Sequence, residues 1–453
     1  MLGKLTSFLS SSTPLPSSHQ ASARAKTYVD LAKELDKVNV PVSETDCISC
    51  SNPCDETSTT TTGAGAGARG VGTVVEIYEG KSYQDYINDK YGDLGELPKG
   101  FDVDWETDLK GSSKGGQGRI VVISTGKSDW ERDHTDEKGS LANHLNKVIT
   151  SSSIPESDSK SKSTTTSTNT NTSTAETKSK SELPSYITSS VFPKPSNPLT
   201  NTISIPPSLY SSSLISQSDD PSDQSTIIFP DWKVIHEIDN SYKGAKSLYD
   251  NALSGELGRS GKSIDTNDEN ENENENENGE FDRRRSWVLP YRAVILLCSH
   301  KKRDKRCHIA APLLRSALHT VLSQHDISID EDGSSLSHLD GPPIEEMRGT
   351  NLEKEIEIGK RIEDIEGVKG GQGGQVGIFN INHLGGHRYA GVMLILFPSG
   401  AYVSYGRVTP QEIPRVVEDT ILQGTIVPGL LRNAVGVERE ASENKSGKGF
   451  LSW

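Results

Sequence analysis

Apolar positions along this chain crowd into short runs separated by long polar stretches. The first ordered region opens with helical spacing over Tyr28–Val38 and closes with a second helical stretch, Ser140–Ile149. Two strand-like runs lie between them, Gly72–Tyr78 and Arg119–Thr125, the latter a buried-looking segment bounded by Gly118 and Gly126. Alternation of this kind predicts a small α/β unit, interrupted by a flexible Thr/Gly/Ala tract over Thr57–Gly70. From Ser151 to Thr226 Ser, Thr, Asn and Pro dominate, and too few apolar side chains remain to offset the entropy of ordering the backbone. That stretch reads as a disordered linker. Ile227–Tyr249 regains apolar residues and is expected to open a second domain, before the Glu-Asn repeat around Glu269–Asn278 interrupts it with a solvated acidic loop.

The densest folding signal starts at Trp287. A strand-like Arg292–Leu297 leads through a Cys-bounded loop to Ile309–His325, where Leu313, Leu314, Leu318, Val321 and Leu322 recur at helical spacing. A polar insertion over Asp326–Gly374, with a charged helical segment at Leu352–Glu366, is followed by the strand Val376–Ile381 and a Gly-rich loop. Pro398, Ser399 and Gly400 then divide Val392–Phe397 from Ala401–Tyr405 as a hairpin, and a helix over Pro410–Leu422 covers the sheet. The expected organisation is a disordered tail (1–27), an N-terminal α/β region (28–150), a linker (151–226), a C-terminal α/β domain (227–440) and a flexible tail (441–453).

Composition narrows the function classes. A hydrophobic fraction of 32% beside 25% charge fits a chain diluted by unfolded segments. A formal charge of −15 argues against general affinity for nucleic acid or anionic membranes, and no apolar run approaches bilayer length. Five cysteines in 453 residues make a poor disulfide framework, and their grouping suits metal binding in a reducing compartment. The first 28 residues lack Asp and Glu but form no Arg-rich amphipathic helix, so a mitochondrial destination is second to a cytoplasmic or nuclear one.

Cys298 stands where a buried strand ends and Cys307 where a helix starts, with Ser-His-Lys-Lys-Arg-Asp-Lys-Arg between them. Two thiolates can meet there, and Lys301, Lys302, Arg303, Lys305 and Arg306 are expected to offset their charge. His383 and His387 frame His-Leu-Gly-Gly-His directly after a strand. Gly385 and Gly386 argue against the helix on which zinc-protease histidines sit, and for a loop wrapped closely around a metal centre. Two Cys and two His make a closed four-ligand set, the count for structural zinc or for a cluster of mixed ligation.

Cys, eight residues, Cys, then His-x-Gly-Gly-His resembles the motif of the thioredoxin-like ferredoxins of the sucrase/ferredoxin-like family, matched at Cys298, Cys307, His383, Gly385, Gly386 and His387. The likeness covers about Trp287–Val437. Upstream it is looser, resting on Ser124–Arg132 and the Cys47, Cys50, Cys54 group. It implies a C-terminal thioredoxin-like ferredoxin domain with a [2Fe–2S] cluster, one iron held by Cys298 and Cys307 and the other by His383 and His387. The implied activity is one-electron transfer to an unknown redox partner, coupled to protonation of the histidines and placed in redox-stress tolerance, with no catalytic residue to name. The rival reading is an interaction protein holding structural zinc on the same four residues.

Other residues carry weaker signals. Cys47, Cys50 and Cys54 lack a fourth ligand, His300 and His308 are expected at the surface or beside the ligands, and Arg388 and Tyr389 could tune the site or simply pack. Gly126-Lys127-Ser128 lacks the upstream glycine of a phosphate-binding loop. Leu451-Ser452-Trp453 resembles the terminal tripeptide by which cytosolic iron–sulfur proteins are captured by their targeting complex.

Overall fold

The computed structural model describes residues 30–43, 83–105, 107–113, 118–152, 183–189, 205–262, 285–439 and 449–451. A helical stretch over 30–37 and helix α1 (Tyr83–Tyr91) precede strand β1 (Ile120–Ser124), whose five residues are all buried. Helix α2 (Leu141–Ser152) presents Leu141, Ala142, Leu145, Val148 and Ile149 to the sheet at helical spacing. After the two-residue strand β2 (Ile187–Thr188), β3 (Ser208–Ser212) lies parallel to β1. A hairpin of β4 (Gln224–Phe229) and β5 (Lys233–Ile238) then runs antiparallel to it, followed by helix α3 (Tyr242–Leu248).

A second unit repeats this plan. After β6 (Arg285–Val288), the fully buried β7 (Ala293–Cys298) feeds helix α4 (Lys305–Ser323), and β9 (Gln375–Ile381) returns parallel to β7. Strand β8 (Ser328–Asp330) and helix α5 (Asn351–Glu363) lie in the connection. β10 (Met393–Leu396) pairs antiparallel with β7 and with β11 (Tyr402–Tyr405); a helical stretch over 410–422 and β12 (Leu431–Val435) complete it. The order across the sheet is β2-β12-β11-β10-β7-β9-β3-β1-β4-β5-β6, with β8 beside β9. Thus β9-β7-β10-β11 and β3-β1-β4-β5 share one connectivity and abut at the antiparallel pair Ser212 and Ile381.

The α/β class and the β–α–β–β–β–α order of the second unit are those read from the sequence. Three expectations differ. The stretch assigned to a linker contains β2 and β3, because the Ser-rich β3 places Ser211 and Ser212 in the interior between strands of both units. The stretch Ile227–Tyr249, expected to open the second domain, belongs by its pairing to the first unit, since β4 registers with β1. The polar insertion contains the helix expected at Leu352–Glu366, observed as α5, where a Thr350–Glu353 capping box starts the helix and Ile358 and Ile362 enter the core. The tail, expected to be flexible, is packed at its described positions: Phe450 meets Phe397 edge-on at 5.2 Å, its N–H donates to Gly424 O, and Leu451 is buried. The strand expected at Gly72–Tyr78, the Thr57–Gly70 tract, the Glu-Asn repeat, Cys47, Cys50, Cys54, Ser452 and Trp453 lie outside the described residues.

Candidate metal centre

Cys298 is the last residue of β7, in the middle of the second unit, at the carboxyl end where ligands gather in α/β sheets. Its N–H donates to Val392 O, and the Ser299 N–H to Ile381 O, so the strand end is tied to both neighbouring strands. The loop then turns back through Asp304, whose carboxylate caps α4 by accepting from Arg306 N–H at 2.9 Å. Cys307 follows in the first helical turn, facing inward. On the other side β9 ends at Ile381 and delivers His383 two residues later, beside Cys298 because the parallel register sets Cys298 opposite Ile381.

The side-chain donors of Cys298, Cys307 and His383 lie within 4.8 Å of one another, and Cys298 Sγ is 3.7 Å from His383 Nδ1. Both cysteines are buried and packed on Val392 and Leu384. The Cys307 thiol, and then His383 and the Leu384 N–H, hold Cys298 well below the usual thiol range against the opposing effect of burial. Cys307 is pushed up by giving its hydrogen to Cys298 and by burial. A metal binding both sulfurs would displace their hydrogens. His387 opens a short helical turn, His387–Tyr389, and its side chain lies outside the described residues. The structure thus brings together three of the four residues read from the sequence.

The basic loop does less than its composition suggested. Lys302 pairs with Glu131 at 2.7 Å, Arg306 with Asp102 and Asp304 at 3.0 Å each, and Arg303 reaches the Arg132 carbonyl. Glu131 and Asp102 come from the first unit and its approach and Asp304 from the loop itself, so Lys302 and Arg306 tie the loop to the first unit. His300 is buried and donates from Nε2 to Trp130 O at 2.9 Å, whereas His308 is exposed. Tyr389 packs between the guanidinium groups of Arg388 and Arg407, 4.9 and 5.1 Å from its ring centre, and its hydroxyl donates to Asp108 O. Lys127 pairs with Glu137. The first unit carries no matching ligands among its described residues: Ser124 ends β1 where Cys298 ends β7, and buried Trp130 donates its Nε1–H to Thr125 beside it.

One residue escaped the sequence reading. Arg432, on β12, is fully buried and lies against the Gly385-Gly386 turn; a Cβ on Gly386 would fall 2.6 Å from its guanidinium. No local signal marks it, since a single Arg in a short strand is ordinarily exposed at its tip.

A family profile described as Sucrase/ferredoxin-like matches residues 109–433, and the chain belongs to that family. Among curated proteins it is 30% identical over 142 residues to Altered inheritance of mitochondria protein 32 of Meyerozyma guilliermondii, covering 31% of this chain and 34% of that protein. It is 25% identical over 142 residues to the protein of the same name from Clavispora lusitaniae, covering 31% and 35%. It is also 30% identical over 132 residues to Actin patches distal protein 1 of Saccharomyces cerevisiae, covering 29% and 30%. These matches span about a third of each relative. No solved structure matches the chain. No described helix is long and apolar enough to cross a membrane.

Proposed function

We propose that this chain is a [2Fe–2S] redox protein whose cluster is held by Cys298, Cys307, His383 and His387. The observation that carries the reading is the convergence of Cys298 and His383, at and just beyond the ends of adjacent parallel strands, with Cys307 from the first turn of α4, in a chain of the sucrase/ferredoxin-like family. Bound there, the cluster supplies one-electron transfer, at a potential above that of all-Cys ferredoxins because imidazole replaces thiolate on one iron. The chain's own residues do the rest. β7, β9 and the capped start of α4 fix the donors, and Val392 and Leu384 keep water from the sulfurs. His383 turns Nδ1 toward Cys298, leaving Nε2 as the atom at which a proton is held or released when the charge of the centre changes.

One distance favours a second reading. A thiolate and an imidazole on a single tetrahedral zinc stand ~3.5 Å apart, from bond lengths of ~2.3 and ~2.0 Å, close to the 3.7 Å between Cys298 and His383. Structural zinc on the same residues is therefore the alternative. Variants decide whether the histidines are ligands: His383→Cys and His387→Cys should each load a cluster of lower potential and flatter pH dependence, and unchanged pH profiles in both would remove them from the ligand set.

The proposal extends to maturation in the cytosol, with Leu451-Ser452-Trp453 as the handle for the targeting complex. Leu451 packs against Gly424, so capture requires the last turn to lift away. Two relatives bear names tied to mitochondrial inheritance, which makes the matrix the competing site. Deleting Trp453 should lower cluster loading in cells without unfolding the protein; undiminished loading would refute the handle.

A further inference from the structure

Arg432 is the least expected feature of the site. Its side chain is 0% exposed, and a buried guanidinium without an anion costs several kcal/mol. Its hydrogen bonds are to neutral groups: Nε to Ser112 Oγ at 3.2 Å, one terminal nitrogen to Ser112 O at 3.3 Å and the other to Ser404 Oγ at 3.4 Å. Among the described residues no carboxylate lies within ion-pair distance. Burial lowers its pKa, and the groups that favour its charge are, in order, Cys298, Tyr389, Tyr210 and Cys307. Arginine remains charged in such settings, and the sulfur ligands Cys298 and Cys307 are among the groups its charge faces.

The backbone is shaped around this cation. Gly386, at φ +69°, would put a Cβ 3.0 Å from Cζ of Arg432, and a Cβ on Gly406 would lie 3.0 Å from its Cδ. The side chain thus threads between the ligand loop and the turn after β11, with no room for substituents on either. The second glycine of His-Leu-Gly-Gly-His admits the guanidinium to the rear of the turn that carries the histidines.

We propose that Arg432 is the buried counter-cation of the metal–thiolate centre, placed to favour its more negative, reduced state. The inference rests on the [2Fe–2S] reading above. Two ferric ions, two sulfides, two thiolates and two neutral imidazoles sum to zero charge, and uptake of one electron from a one-electron donor leaves one net negative charge with no bond made or broken. A fixed cation in a low-dielectric site stabilises that added charge, whereas exposed loop cations already paired with acids are screened.

The test is equilibrium redox titration of the purified, cluster-loaded protein and its variants with dithionite and mediators. Arg432→Gln should disfavour reduction at least about tenfold, a fall of ~59 mV for one electron, and Arg432→Lys should restore much of the difference. A loaded R432Q with unchanged potential would overturn the inference while leaving the cluster assignment intact. Should R432Q fail to load, Arg432→Met, which fills similar space without charge, takes its place. Loading by R432K but by neither neutral variant also supports the inference, and equal loss in all three variants overturns it. A wild-type chain that takes up zinc without sulfide overturns the cluster assignment and this inference together.

Discussion

Gly386→Ala is the most informative single-atom change, because its neighbour Gly385 provides a matched control. Both glycines have positive φ, +76° at Gly385 and +69° at Gly386, so an added Cβ costs each about 1–2 kcal/mol of backbone strain. At Gly385 the nearest atom to the new methyl is 3.9 Å away, an ordinary contact. At Gly386 the methyl falls 2.6 Å from one Arg432 nitrogen, 3.0 Å from Cζ and 3.1 Å from a Tyr389 ring carbon. The guanidinium cannot swing into water, since it is fully buried and tied to Ser112 and Ser404. Displacing it loses hydrogen bonds of a charged donor, each worth about 1.5–3 kcal/mol. Gly385→Ala should therefore cost about 1–2 kcal/mol and Gly386→Ala about 3–5 kcal/mol. Urea unfolding followed by tryptophan fluorescence measures both on the full chain. Equal destabilisation by the two substitutions would refute the argument that Arg432 packs against the histidine loop.

Two further predictions concern the frame around the site. Glu418 is pushed up by burial but drawn down to about 2 by hydrogen bonds from His325, Lys90 and Tyr91. Since the folded value lies below the ordinary 4.5, its stabilisation is present above pH 4.5, lost as pH falls toward 2, and amounts to about 3 kcal/mol at ~1.4 kcal/mol per unit. Glu418→Gln should weaken the protein at pH 7 and flatten the acid limb of its stability profile; parallel wild-type and variant profiles between pH 4.5 and 2 would contradict this. The Arg119–Asp231 pair, at 2.8 Å with both side chains buried, joins the start of β1 to the β4–β5 turn. Asp231→Ala should cost about 3–5 kcal/mol by stranding the guanidinium, while a loss under 1 kcal/mol by urea unfolding would show that the carbonyls of Ser254 and Leu257 satisfy it alone.

What could be read from the sequence follows from where the information lies along the chain. The run Ala293–Cys298 is apolar throughout because β7 is covered on both faces, so both the strand and the position of its terminal cysteine were legible. The gap of eight residues before Cys307 and the glycines after His383 are local signals and were equally plain. β3 was not legible, for only its last two residues are buried and its Ser-rich sequence resembles the linker around it. Its place is set by register with β1, 88 residues upstream. Arg432 was hidden for the same reason. Its burial depends on Gly386, Ser112, and the neighbouring Ser404 and Gly406, positions from three separate segments that no periodicity connects. The ion pairing of the basic loop was not legible because Glu131 and Asp102, which pair with Lys302 and Arg306, are contributed from far upstream.

The central claim is the identity of the group on Cys298, Cys307, His383 and His387. Purification without oxygen, followed by iron, zinc and acid-labile sulfide analysis and by visible and electron paramagnetic resonance spectra before and after dithionite, addresses it directly. The account predicts two irons and two sulfides per chain, charge-transfer bands that bleach on reduction, and a spin signal in the reduced protein. A colourless protein with one zinc, no sulfide and no reducible spin would contradict it.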